Sequence, residues 1–240
     1  MRKTRSLLMI LAACLMQALP ARAEQSCAAA SLQLTASAPA MVTLALSAPC
    51  HKGKALSLSH AGLQLDARTD DQGRLTLVLP ALATPAGVTV IWADGSRLSA
   101  SIPLTDFASV QRLALQPLGA GGLHLSAPRP ANRPPISAAE PGRTEDLAKG
   151  GFLTLLGDPA RAPLAEVLTL PAATDRTGVR LTAQADGGNC GHDRLAMLLR
   201  SQPEGAPTAG ALALAMPDCT RLGKQINMPL DSLPLPSPAP

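Results

Sequence analysis

Tyrosine is absent from the chain, and Trp92, Phe107 and Phe152 are its whole supply of large aromatic side chains. Proteins that hold single-stranded nucleic acid stack bases on such rings, so composition argues against that partner. Long apolar runs are missing too. Beyond the first two dozen residues, charge, proline or glycine interrupts each one. A membrane-spanning helix needs about 20 apolar residues in succession, so no transmembrane segment is expected in the body of the chain. Motifs that carry a mechanism are equally scarce. There is no Gly-x-Ser-x-Gly elbow for a serine nucleophile, no His-Glu-x-x-His zinc pair and no Gly-x-x-x-x-Gly-Lys-Ser/Thr phosphate loop. None of the 17 acidic residues stands in a context that marks a catalytic carboxylate pair. The sequence therefore assigns no catalytic residue, no metal ligand and no cofactor.

What is present begins with an export signal. Arg2, Lys3 and Arg5 precede an apolar stretch over 6–19, and Pro20 leads into Ala21-Arg22-Ala23, a small-x-small cleavage site before Glu24. Leu11-Ala12-Ala13-Cys14 also has the form of a lipobox, which would make Cys14 a lipid-bearing residue; the later cleavage site after Ala23 is preferred. Removal of the leader changes the charge. Four of the 21 basic residues (Arg2, Lys3, Arg5, Arg22) lie in it and no acidic one does, leaving 17 against 17. The precursor's pI near 9.0 is thus not a property of the mature chain. A neutral protein has no general attraction for phosphate backbones, a second reason to exclude nucleic acid.

Four cysteines remain after the leader: Cys27, Cys50, Cys190 and Cys219. An even number in an exported chain implies disulfides, with three possible pairings. The two pairs sit at opposite ends of the mature chain, which favours Cys27 with Cys50 and Cys190 with Cys219. Each ring would stabilise by about 3 kcal/mol in the loop-entropy view. Such staples would compensate for a core built from leucine, valine and alanine, since aromatics bury the most area per residue.

Apolar residues recur with period two along most of the chain, the mark of half-buried strands. Leu32 and Leu34; Val42, Leu44 and Leu46; Leu56 and Leu58; Leu63 and Leu65; Leu75, Leu77 and Leu79 follow in turn. Val88, Val90 and Trp92 then lead through Ala93-Asp94-Gly95, a hairpin signal, to Leu98, Ala100 and Ile102. The pattern is weakest between Leu113 and Leu125. Five prolines occur over 127–141, and proline cannot serve a central strand, so a linker or surface loop is expected, with a short helix over 144–149 capped by Thr144. Alternation resumes at Leu153, over 166–170, at Val179 to Ala183, Leu195 to Leu199 and Leu212 to Met216. The expected class is mainly β: two small antiparallel β-sandwich-like domains joined by a proline-rich linker. The expected divisions are a leader over 1–23, an N-terminal domain over 24–126, the linker over 127–149, a C-terminal domain over 150–230 and a disordered proline-rich tail over 231–240.

Two resemblances attach to these residues. Ala67 to Pro80, with its Thr69-Asp70-Asp71-Gln72-Gly73 turn, resembles transthyretin-like, carboxypeptidase-regulatory-like β-sandwich modules, except that Leu75 replaces the usual phenylalanine and no glycine follows Pro80. Such modules are usually non-catalytic. Ser47-Ala48-Pro49-Cys50, Ser59-His60-Ala61-Gly62-Leu63, Asp71 to Leu75, Ala165-Glu166-Val167 and Leu214 to Cys219 resemble a family of exported bacterial proteins sometimes labelled translocase, a label without a mechanism.

Two histidines deserve weighing. His60, in phase with Leu58, would point inward, where it would be either a hydrogen-bonded structural group or a pH-sensitive or metal-binding one; the structural reading is preferred. Cys190-Gly191-His192-Asp193 brings soft and hard ligands together, but metal would need Cys190 as a thiolate, which a disulfide removes. His51 and His124 are expected to be solvated or structural. The resulting expectation is a non-catalytic periplasmic or secreted protein, an interaction module for an envelope protein or small ligand. The alternative is a small hydrolase or metal-dependent enzyme using His60 or His192.

Overall fold

The computed structural model describes residues 28–119, 122–130, 133–157 and 165–230. The leader, the Ala23–Glu24 cleavage point, Cys14, Cys27 and the tail over 231–240 lie outside the described residues. Among the described residues the chain is mainly β, with antiparallel sheets throughout.

Seven strands form the N-terminal sandwich. In one sheet β1 (Ser31–Ser37), β2 (Met41–Ser47) and β5 (Arg74–Pro80) run in the order β1-β2-β5. In the other, β3 (Ala55–His60), β4 (Leu63–Arg68), β6 (Ala86–Trp92) and β7 (Arg97–Ile102) run in the order β4-β3-β6-β7. Cross-strand registers align the leucines. Leu44 lies opposite Leu34 and Leu77, and Leu58 opposite Leu65 and Val90, so each sheet turns an unbroken aliphatic face inward. The turn between β4 and β5 shows why Asp70 and Gly73 are spaced as they are. Asp70 Oδ1 accepts the Gln72 and Arg74 amides at 2.9 and 2.7 Å. Gly73 has φ +78°, and a Cβ there would stand 2.3 Å from the Ala48 carbonyl oxygen.

The second set of sheets is built around β8 (Val110–Leu118). With β10 (Phe152–Leu156), β11 (Ala165–Pro171), β13 (Arg194–Arg200) and β14 (Thr208–Leu214), it makes a five-stranded sheet in the order β10-β11-β8-β13-β14. A three-stranded sheet, β15-β12-β9, covers one face of it, from β9 (Leu123–Ser126), β12 (Arg180–Gln184) and β15 (Gln225–Pro229). Leu113, Leu115, Leu168 and Leu198 point into that core with Leu125 and Leu181. The opposite face of the five-stranded sheet receives the end of the N-terminal sandwich. Ala114, Val167 and Leu199 share a core with Leu58, Leu63 and Leu82. Gly62, at the β3–β4 turn, approaches so closely that a Cβ would meet Leu199 Cδ2 at 2.8 Å.

β8 and β9 precede the proline-rich segment yet pair with strands that follow it, so the sheets divide the chain between Ile102 and Val110 rather than at residue 126. Ile136, inside the proline-rich segment, is fully buried and exchanges backbone hydrogen bonds with Ala127. Thr144–Lys149 forms a short 3₁₀ helix, as the sequence suggests, but Thr144 does not cap it. The Asp146 carboxylate instead accepts the Arg143 amide at 2.9 Å.

Arg112 ties the two halves together. Its side chain lies between the sheets, 1% exposed. The guanidinium donates to the carbonyls of Ala40 (2.9 Å), Ala81 (2.7 Å) and Pro39, and Nε donates to Thr169 Oγ1 at 3.1 Å. Asp106 accepts the Ala40 amide at 2.8 Å, so both backbone groups of Ala40, whose φ is +50°, are held. Burial brings the Arg112 pKa down to about 9, opposed by the negative charge of Asp106. It remains a cation at neutral pH.

Candidate functional site

Sheet edges offer the clearest surface chemistry here. An exposed edge presents unpaired amides and carbonyls, and proteins ordinarily protect it with charge, proline or a covering segment. Most edges of this protein are protected in that way. β4 carries Asp66 and Arg68, β5 carries Arg74 and Pro80, β7 carries Arg97, and β15 ends in Pro229. β1 lies against β7. β10 is backed by the proline-rich segment, with the Leu153 amide donating to the Pro141 carbonyl. On β9 the Leu125 amide donates to Glu166 Oε2 at 2.7 Å.

β14 is different. Among the described residues it pairs with β13 alone, Gly205 in the turn before it bridging Thr84, and no residue between Glu204 and Asp218 is charged. Pro207 and Pro217 bracket the strand without interrupting it. Beside it, on the face turned toward the N-terminal sandwich but not covered by it, Leu118 and Leu195 are each 49% exposed. They are cross-strand partners, and Leu195 also pairs with the exposed Ala213 of β14. An apolar row thus runs from β8 across β13 to the bare edge. A cavity of about 380 Å³, lined by Leu118, Met197, Gln116 and the β4 residues Gln64 and Asp66, adjoins it. Gln116 closes the nearby β4 edge by acting as a peptide surrogate: its Oε1 accepts the Gln64 amide at 3.1 Å and its Nε2 donates to the Gln64 carbonyl.

The histidines singled out from sequence do not converge. His60 is buried, its Nδ1 donating to the Gly87 carbonyl at 2.8 Å and its Nε2 accepting the Leu82 amide at 3.0 Å. Both ring nitrogens are spent on backbone, which fixes a neutral tautomer and leaves none for substrate or metal. His192 is exposed, and Cys190 beside it is bonded to Cys219, so the thiolate a metal site would require is gone. Among the described residues, no group of three or more histidine, cysteine, aspartate or glutamate side chains is placed to hold a metal ion. Nor is any helix there long and apolar enough to cross a membrane. Cys50 is also disulfide-bonded, with its partner outside the described residues.

No family model, curated protein or solved structure matches this chain.

One arrangement in the fold is not legible in the sequence. Glu166, buried on β11, receives both the Leu125 amide and the His124 imidazole, whose Nδ1 lies 2.6 Å from Oε1. The side chain of His124 is 47% exposed. The sequence reading expects His124 to be solvated or structural; the carboxylate that reaches it comes from another sheet, 42 residues away in sequence.

The two histidines respond to pH in opposite senses. Burial lowers the His60 pKa below 6.5, the Gly87 hydrogen bond opposing and the Arg112 cation reinforcing that shift. The folded state thus binds this proton less readily than the unfolded chain. Stability from His60 is complete above pH 6.5 and erodes as pH falls below that value toward the folded pKa. Urea midpoints measured from pH 7.5 downward should decline, and His60→Gln should be less stable at pH 7.5 while losing that part of the acid slope. An unchanged slope would show that other groups carry it. The His124 pKa is raised above 6.5, chiefly by the hydrogen bond to Glu166, with burial opposing. Its stabilisation is present below pH 6.5 and is lost as pH rises through the folded value. In Glu166→Gln, the His124 ring resonances should titrate at lower pH than in the native protein. An unmoved titration would mean that the carboxylate does not hold the imidazolium.

Proposed function

We propose that the chain is a non-catalytic extracytoplasmic interaction protein, which pairs another polypeptide with the open edge of β14. The observation that carries this reading is the bare edge itself, flanked by half-exposed Leu118 and Leu195, where most other edges are protected. Exposed apolar surface next to free strand amides suits recognition by strand addition, in which main-chain hydrogen bonds supply affinity and flanking pockets supply specificity. Export fits the rest. The leader over 1–23 directs the chain to the periplasm or beyond, and the Cys190–Cys219 bond persists in an oxidising compartment. Cys27 is the partner we assign to Cys50, whose Sγ lies 4.0 Å from the Ala28 carbonyl oxygen, next to that cysteine in sequence.

The test is a photo-crosslinking amino acid introduced at Leu195 and, as control, at the exposed Thr76 on the outer face of β5, in cells making the exported protein. Adducts are expected from position 195 and not from position 76. Equal labelling from both positions, or none from 195, would sink the proposal.

A further inference from the structure

We propose that the occupant of the β14 edge is a second copy of this chain, related by a two-fold axis through Ala211; this rests on the interaction reading above and names its partner. In such a pair β14 meets itself antiparallel, and the two five-stranded sheets become one continuous sheet. Charge is the first argument. On a two-fold axis any charge near the axis faces its own kind, so self-pairing requires an edge without charge. β14 satisfies that requirement, and its freedom from charge extends through both flanking turns.

Side-chain size is the second argument. With the axis at Ala211, Gly210 of one copy faces Leu212 of the other, leaving room for the larger side chain on both sides of the axis. Ala209 faces Ala213, and the small exposed alanines let the strands approach without collision. The apolar row that ends at Ala213 continues through Ala209 of the second copy, joining the Leu195 of one protomer to the Leu199 of its mate across four strands. The association also closes. The far edge of the sheet, β10, is already backed by the proline-rich segment, so the assembly stops at two rather than growing into a fibre.

Sedimentation equilibrium of the exported protein should show a concentration-dependent dimer and nothing larger. Ala211→Lys places a cation against its own image at an exposed position that the fold tolerates, and should give a monomer with unchanged circular dichroism. Ala211→Cys should form an intermolecular disulfide under mild oxidation, because residues opposed in antiparallel strands have Cα atoms about 4.5–5.5 Å apart, within disulfide reach. Thr76→Cys should not. A native protein that stays monomeric into the high micromolar range, or an Ala211→Lys variant that dimerises as before, overturns the proposal. The crosslinking adducts from position 195 separate the two readings. Adducts of twice the chain mass support both, whereas adducts to a different protein, with the purified chain monomeric, refute the second copy and leave the interaction reading standing. Absence of both dimer and adduct ends both.

Discussion

Replacing Arg112 with alanine is expected to lower the unfolding free energy by about 3–5 kcal/mol, among the largest effects available to a single substitution. The reason lies in what the guanidinium holds. Carbonyls of Pro39, Ala40 and Ala81 come from two loops at the end of the N-terminal sandwich, and Thr169 comes from the neighbouring strand of the five-stranded sheet. Those carbonyls are turned away from solvent toward a cation. Truncation leaves the Ala40 carbonyl with the Ala81 amide alone and takes the guanidinium donor from the Pro39 and Ala81 carbonyls, in a space too apolar to solvate them well, and each buried unsatisfied group costs about 1–3 kcal/mol. The loss of the side chain's own volume adds a cavity term. For a chain of this size the transition temperature should fall by roughly 10 °C. Arg112→Lys should recover little, since one ammonium cannot span three diverging acceptors in the plane of a guanidinium fork. Thr169→Val, which removes a single acceptor, should cost about 1 kcal/mol and sets the scale for one contact. Equilibrium urea unfolding followed by far-ultraviolet circular dichroism measures all three. A loss below about 1 kcal/mol in Arg112→Ala would mean that water replaces the guanidinium and that the sandwich docks through Leu58, Leu63 and Leu199 without it.

This residue also shows where sequence reading stops. Half-buried strands are legible because one face of each meets solvent: the alternations at Leu44 and Leu46, Leu56 and Leu58, or Leu75 to Leu79 correspond to β2, β3 and β5. The weak pattern between Leu113 and Leu125 has the opposite cause in its first half, which belongs to β8. That strand is the middle strand of the five-stranded sheet, with Leu113 and Leu115 in one core and Arg112, Ala114 and Gln116 under the other, so nearly every residue is buried and no period survives. A buried arginine and glutamine there read as solvent positions until the strand has a neighbour on both sides. The proline-rich segment misled in a related way. Its prolines do keep it out of the central strands, but Ile136 is drawn into the core from a bridge with Ala127, which composition alone does not reveal.

The candidate site was legible only in part. Leu212 and Leu214 announced a strand, and the missing charge over 205–217 is plain in the sequence. That β14 is an edge depends on pairing order, which period-two patterning does not encode. Leu118 and Leu195 are adjacent only because β8 and β13 pair across a sequence separation of 77. His124 and Glu166 meet for the same kind of reason, by a contact between sheets rather than along one.

Removing the Cys190–Cys219 bond by the double replacement Cys190→Ser and Cys219→Ser should cost about 3 kcal/mol. The two residues are 29 positions apart, so the cross-link forbids many extended conformations of the unfolded chain. A native-state cost adds to this. Cys190 is 4% exposed, at the turn where the Asn189 side chain accepts the Asp186 amide and donates to the Gln184 carbonyl, and a serine hydroxyl there is buried where a sulfur was. On the other side, Asp218 caps the short turn carrying Cys219 by accepting the Thr220 amide at 3.0 Å. The disulfide thus joins the turn before β13 to the segment after β14 and spans the hairpin that presents the open edge. Local loosening should follow its removal: hydrogen exchange should accelerate first in β14 and in the Gly187 to Gly191 turn, while β2 and β3 of the distant sandwich keep their protection. If the double variant unfolds at the native urea concentration, or if exchange rises uniformly, the bond is not what steadies this hairpin. An additive loss with Arg112→Ala would show that the clamp between the halves and the staple on the edge act independently, as expected for sites with no shared contact.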